Sequence, residues 1–279
     1  MIDHLHSSGA EKILPCQNSD GLTRSIAALD HEGKPIVVSA IEEKALTIFL
    51  NSTEIVTVMT IRDYPRELAV GYLINQDIID EGDTIDLIDY DEELGAVVVR
   101  TTSQTNYEHK LRKKVQTSGC SVGTLYGDIM KKIEGLQLSN APVPVSWLYA
   151  LSKEINTLPT LYLKAGAIHG CVLCARNTVE VYMEDIGRHN AVDKIAGYMF
   201  FHKICGSEKI FYTTGRLTSE MIVKAALMGI PVVVSRSGFT AWAVDIARSV
   251  GMTLIARLRG KRFVCVSGES NLIFDDNTL

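Results

Sequence analysis

Apolar and polar positions follow two different rhythms along this chain, and the change comes after a linker carrying Pro142 and Pro144. Before the linker, short apolar runs at 36–38, 45–50 and 55–59 are separated by turn residues. Asn51-Ser52-Thr53 between the last two runs predicts a β-hairpin, because a short Asn/Ser segment closes two strands through a tight turn. Pro65 opens a helix at the position where its missing N–H is no loss, with Leu68, Ala69, Tyr72 and Leu73 as its apolar face. Runs at 84–88 and 96–100 predict another strand pair. Leu125, Ile129, Ile133 and Leu136, three to four apart, predict an amphipathic helix.

A second helix is expected over about 147–158. Strands at 179–183, 209–213, 231–235 and 253–256 then alternate with helices at 190–202, 219–228 and 241–250, and 263–266 reads as a last strand. Alternation of this kind predicts βαβ units and a mainly parallel sheet. The fold class is therefore α/β, divided into a flexible tail at 1–20, a smaller β-rich unit at 21–140 and an α/β domain at 141–279. His4 and His6 in the tail fit solvated side chains.

With 279 residues and 46% hydrophobic composition, the chain can bury a full core. A net charge of −5 excludes a general polyanion binder, so any nucleotide site must be a local basic patch. Six scattered cysteines are not a disulfide scaffold. No leader-like or bilayer-length apolar run stands out. The expectation is a soluble cytoplasmic protein with reduced thiols, binding neither nucleic acid nor membrane.

The candidate nucleophile is Cys120, in the turn-prone segment Ser118-Gly119-Cys120-Ser121-Val122-Gly123. His109, Lys110, Arg112, Lys113 and Lys114 precede it and a helix follows, so its thiol has reason to ionise easily. The same residues also fit a bystander cysteine in a linker. Anion-suited turns lie further on, where strands lead into helices. One is Glu184-Asp185-Ile186-Gly187-Arg188-His189-Asn190, readable either as a site or as a capped helix start with Asp185 or Asn190 as the cap. Thr213-Thr214-Gly215-Arg216-Leu217-Thr218-Ser219 offers hydroxyls, glycine and arginine before a helix, or plain capping by Thr218 or Ser219. Ser235-Arg236-Ser237-Gly238-Phe239-Thr240 repeats the plan. Arg257, Leu258, Arg259, Gly260, Lys261 and Arg262 place four cations in six residues, suited to phosphates or to a solubilising turn. His169-Gly170-Cys171-Val172-Leu173-Cys174 invites a zinc or redox reading. Two buried cysteines on an apolar element fit it better, and no metal is expected.

Together with Leu68-Ala69-Val70-Gly71-Tyr72-Leu73, Gly119-Cys120, Gly166-Ala167-Ile168-His169 and Thr214-Gly215-Arg216, the block from Glu184 to Lys194 resembles the FdhD family of formate dehydrogenase accessory sulfurtransferases. The likeness spans about 22–275. It implies a cytidine-deaminase-like three-layer carboxy-terminal domain and sulfur accepted from a cysteine desulfurase as a persulfide. That sulfur would pass to the molybdenum (or tungsten) bis-guanine-dinucleotide cofactor, held as a bound substrate for formate dehydrogenase. Cys120 matches the family's persulfide cysteine, and Arg257 to Arg262 match its dinucleotide segment. Thr214, Gly215, Arg216, Ser237, Arg188 and His189 join them as expected cofactor-binding residues, and the two guanine halves suggest a homodimer. Gly123 stands where many members carry a second loop cysteine, which removes a relay between two loop thiols. Two rivals remain: a non-catalytic chaperone for the cofactor, and a metal-dependent hydrolase using His169, Cys171 and Cys174. Against deaminase chemistry, His169-Gly170-Cys171 lacks the glutamate of a His-x-Glu motif.

Overall fold

The structure, a computed structural model, describes residues 12–18, 20–79, 83–102 and 126–275. Cys120, Gly123 and the basic lead-in at 109–114 lie outside the described residues, as do His4 and His6.

The expected hairpin forms between β3 (Lys44–Leu50) and β4 (Thr53–Thr60). Leu46, Ile48 and Leu50 point inward and are buried, which fixes the register, since a one-residue slip would turn all three to solvent. β5 (Ile85–Asp91) and β6 (Ala96–Thr101) pair antiparallel, and β6 runs parallel to β3, giving a four-stranded sheet in the order β4-β3-β6-β5. The run at 36–38 belongs to β2 (Pro35–Ile41), which pairs with β1 (Thr23–Leu29), a strand not expected from the pattern. The β1–β2 ribbon is largely exposed, so no buried alternation marks it in the sequence.

The helices described are α1 (Pro65–Asn75), α2 (Tyr126–Glu134), α3 (Val145–Thr157), α4 (Leu161–Ala165), α5 (Arg188–Phe201), α6 (Ser219–Leu227) and α7 (Ala241–Ser249). Pro65 takes the first position of α1, as expected. α1 bridges the two halves by lying directly on α5. A Cβ added at Gly71 would stand 1.8 Å from the Asp193 carbonyl oxygen, and one at Gly197 would stand 2.0 Å from that of Glu67. The helices therefore touch backbone to backbone, which only glycine allows.

β7 (Val143–Pro144) makes a short parallel pair with β14 (Leu272–Ile273). The second sheet holds β8 (His169–Ala175), β9 (Thr178–Asp185), β10 (Lys209–Thr213), β11 (Val232–Ser235), β12 (Thr253–Arg259) and β13 (Arg262–Ser267), in the order β13-β12-β11-β10-β8-β9. Only the β10–β11 and β11–β12 pairs are parallel, which corrects the expectation of a mainly parallel sheet. β8–β9 and β12–β13 pair antiparallel, Ala175 opposite Thr178 and Arg259 opposite Arg262. Connections that short cannot carry the crossover that parallel neighbours need.

α3 covers one face of this sheet, packing Leu148, Leu151 and Ile155 on Val172, Tyr182 and Val234. α5, α6 and α7 cover the other with Val192, Ile195, Met221 and Ala247. The same cluster continues through α1 to Leu46, Ile48 and Val97 of the four-stranded sheet, so one core serves both halves. The result is a mixed α/β architecture whose C-terminal half has three layers. Among the described residues no helix is long and apolar enough to cross a membrane.

Candidate functional site

The ends of β10 and β11 are built alike. Thr213 is the last residue of β10, and its Oγ1 accepts from the Gly215 N–H at 3.1 Å. Ser235 is the last residue of β11, and its Oγ accepts from the Ser237 N–H at 2.9 Å. Each hydroxyl thus folds its own turn by bonding two residues ahead. Ser235 Oγ also donates to the Gly215 carbonyl at 2.6 Å, locking the two turns together. Thr214 ties the first turn to β8: its N–H donates to the Gly170 carbonyl at 2.9 Å, and its Oγ1 accepts from the Gly170 N–H at 3.0 Å. A short bridge, Leu217 N–H to the Gly238 carbonyl at 2.9 Å, holds the two loops side by side.

Three arginines gather on this frame. Arg188 packs over Gly215 from the start of α5. Arg216 is exposed on the first turn, and Arg236 stacks at 5.0 Å over the Tyr162 ring from the second. All three act on His169 at the start of β8. Burial first, then the charges of Arg188, Arg216 and Arg236, hold its imidazole below the usual histidine range. A small cavity of about 60 Å³ opens among Gly170, Thr214, Tyr162, Tyr182 and Arg236. Arginine stacked on an aromatic ring is pre-organised for phosphate or carboxylate oxygens. The arrangement, on two hydroxyl-bearing turns, has the chemistry to hold an anion.

The basic turn joins through its first residue. Arg257 sits at a break in the β12–β13 register with φ 56°, a left-handed conformation strained for a side-chain-bearing residue. Its N–H donates to the Ser237 carbonyl at 3.0 Å, and its guanidinium lies 5.8 Å from the Phe239 ring centroid. Arg259, Gly260, Lys261 and Arg262 extend outward as an exposed hairpin tip, with Lys261 over Tyr149. Leu258 differs: it is buried in the core under α3, so only its backbone could meet a ligand.

His189 is buried, with Nε2 3.2 Å from Glu220 Oε2 but without hydrogen-bond geometry. Burial, Lys224 and Arg188 push its pKa down to about 2, so it stays neutral beside the arginines. Capping accounts for Thr240, which takes the N-cap of α7 and accepts from the Ala243 N–H at 3.4 Å, but not for the other two turns. Gly187, not Asp185 or Asn190, takes the N-cap of α5, and Asn190 Nδ2 donates to the Met59 carbonyl at 2.8 Å instead. Thr218 takes the N-cap of α6 yet makes no capping bond. Its buried Oγ1 has no hydrogen-bond partner among the described residues.

Of the expected binding residues, Thr214, Gly215, Arg216, Arg188, His189, Ser237 and Arg257 come together. Arg236 belongs with them, as do His169 and Tyr162, to which the sequence assigns no binding role. The mirrored turns already pointed to Arg236, which occupies in Ser235-Arg236-Ser237 the place that matches the first loop.

The zinc reading of His169, Cys171 and Cys174 fails on geometry. Cys171 packs into the core on the α5 face of β8, and Cys174 into the core on the α3 face. Burial pushes the Cys171 thiol up to about 12, and Cys174 is raised for the same reason.

Comparison with known proteins agrees with the family resemblance. The FdhD/NarQ family profile matches residues 41–273. Curated relatives named "Sulfur carrier protein FdhD" include one from Geobacillus kaustophilus, 30% identical over 235 residues, covering 83% of this chain and 89% of the relative. One from Bacillus pumilus is 29% identical over 225 residues, covering 80% and 86%. A crystal structure described as a formate dehydrogenase accessory protein from Desulfotalea psychrophila shares the fold, with a TM-score of 0.74 at 24% identity, covering 90% of this chain and 98% of that one. With the profile spanning most of its length, the chain belongs to the FdhD/NarQ family.

Proposed function

We propose that this protein carries sulfur for formate dehydrogenase maturation in the cytoplasm, acting as a sulfurtransferase with Cys120 as the carrier thiol. The Cys120 thiolate attacks the terminal sulfur of a persulfide on a cysteine desulfurase, and the donor's cysteine leaves as thiolate. Cys120 then holds the sulfur and returns to thiolate when it is handed on. The recipient is the molybdenum bis-guanine-dinucleotide cofactor, bound as substrate by a homodimer. The observation carrying this reading is the convergence of Arg188, Arg216, Arg236 and His169 on two interlocked turns, which suits pyrophosphate oxygens. The three-layer mixed sheet supports the deaminase-like reading of this half.

A cofactor-holding chaperone without covalent transfer is the second reading. It is favoured by Gly123 in place of a second loop cysteine, and by the inert state of Cys171 beside the cluster. The test incubates the protein with desulfurase and cysteine and locates the adduct by mass spectrometry, alongside calorimetry with GDP and pyrophosphate. A labile sulfur on Cys120, lost in Cys120→Ala while GDP affinity is unchanged, is the expected result. Sulfur still carried by Cys120→Ala would sink the assignment.

A further inference from the structure

The Glu184–Lys194 stretch serves two places. Arg188 and His189 face the anion site, but Glu184 lines a separate cavity of about 330 Å³ that sulfur transfer leaves unexplained. That volume falls in the range of small-molecule sites. The cavity lies between the segment around Cys16, the loop from β4 to α1, and the start of α4.

Its chemistry is one-sided. Asp20, Asp63 and Glu184 are its acids. Arg62 contributes to the wall, but its guanidinium turns away, with Nε donating to the Ala45 carbonyl at 2.8 Å and Nη1 to that of Glu92 at 3.0 Å. Lys194, wholly buried, is shared between Asp63 and Asp185, so it does not balance the three carboxylates. Burial raises both Asp63 and Glu184 above the usual carboxylate range although Lys194 pulls both the other way, since desolvation disfavours their charged forms until a cation joins them. Tyr64 and Tyr182 add two aromatic rings, and Leu14, Leu22 and Leu161 form an apolar side. Carboxylates and aromatic faces together favour an ammonium group over a neutral or anionic one.

We propose that this cavity binds a small aliphatic primary amine. Its ammonium group meets the Asp63 and Glu184 carboxylates beside the two tyrosine rings, and its carbon chain lies along the three leucines. Nothing here rests on the sulfur-carrier reading.

Cys16 lines the cavity and is exposed, so it reports occupancy. The full-length protein is alkylated with iodoacetamide in the presence of butylammonium, butyrate or 1-butanol at equal ionic strength, and modification is read peptide by peptide. Cys205, exposed and outside the cavity, is the internal control. Millimolar butylammonium should slow Cys16 alkylation about 5-fold and leave Cys205 unchanged, while butyrate and butanol do neither. Glu184→Gln, which keeps an oxygen for the Leu161 N–H, should cut the protection. If that variant does not fold, Asp63→Asn, which keeps an oxygen for Lys194 and leaves that lysine paired with Asp185, makes the same comparison. Equal protection by butyrate or butanol, no protection by butylammonium, or protection undiminished in the folded variant overturns the proposal. Sulfur loading of Cys120 is measured separately, so either idea can fail alone.

Discussion

A Cβ added at Gly215 would stand 3.0 Å from Cδ and 3.2 Å from Cβ of Arg188. Glycine at 215 is what lets Arg188 lie over the first turn. Gly215→Ala is expected to fold and to push the guanidinium aside. Calorimetry should show pyrophosphate affinity falling about 10-fold, near 1.4 kcal/mol, with the melting temperature nearly unchanged. Unchanged affinity would remove Arg188 from the site.

Arg236 stacks on Tyr162, so its charge and its plane are both in use. Arg236→Ala should weaken pyrophosphate binding about 10-fold or more, and Arg236→Lys should recover little, since lysine keeps the charge but not the planar fork. The salt dependence of Kd should become shallower in Arg236→Ala. Full recovery with lysine would reduce the residue to a point charge.

The backbone contact of α1 with α5 predicts a large stability effect far from the chemistry. Gly71→Ala must push the helices apart, because its Cβ would fall 1.8 Å from the Asp193 oxygen. A loss of about 3 kcal/mol or more is expected. For a chain of this size that lowers the melting temperature by roughly 6–12 °C. Gly135→Ala, with nothing within 4 Å of its added Cβ, should change it little.

His189 is held neutral, its pKa pushed down to about 2, chiefly by burial. Unfolded, it titrates near 6.5, so between those values the unfolded chain binds a proton that the folded one does not. Stability therefore rises with pH through this window and falls on acidification, by up to about 1.4 kcal/mol per pH unit. Urea unfolding from pH 6 to pH 4 should show the wild type losing stability faster than His189→Gln by about that slope. Parallel slopes would mean that the imidazole is protonated in the fold.

The thiols of Cys171 and Cys174 are buried, and burial raises both. Neither should react with iodoacetamide in the native protein, and both should react in guanidinium. Cys174→Ala should still load sulfur in the desulfurase assay. Native labelling of either would undo the core assignment.

Much of this protein was legible in the residue order because its signals are local. Apolar runs at 45–50 and 55–59 around the short Asn51-Ser52-Thr53 turn named the β3–β4 hairpin. Pro65 named the start of α1, and the run at 219–228 named α6. The repeated hydroxyl, glycine and arginine pattern named two anion-suited turns, because the bonds that fold them span two residues. The order of its motifs pointed to the family.

Tertiary structure alone decided the rest, because it depends on partners far along the chain. Strand direction followed from the two hairpins, so the sheet is mixed where alternation suggested parallel pairing. The pair at 171 and 174 looked like one ligand set, yet a strand sends residues three apart to opposite faces. Glu184 and Arg188 look like one cluster in sequence, but the fold turns Glu184 to a cavity and lays Arg188 over Gly215. Leu258 sits among cations in the sequence and inside the core in space. Side-chain periodicity reports which way a residue points within its own element; what waits on that side is set by whichever distant segment packs there.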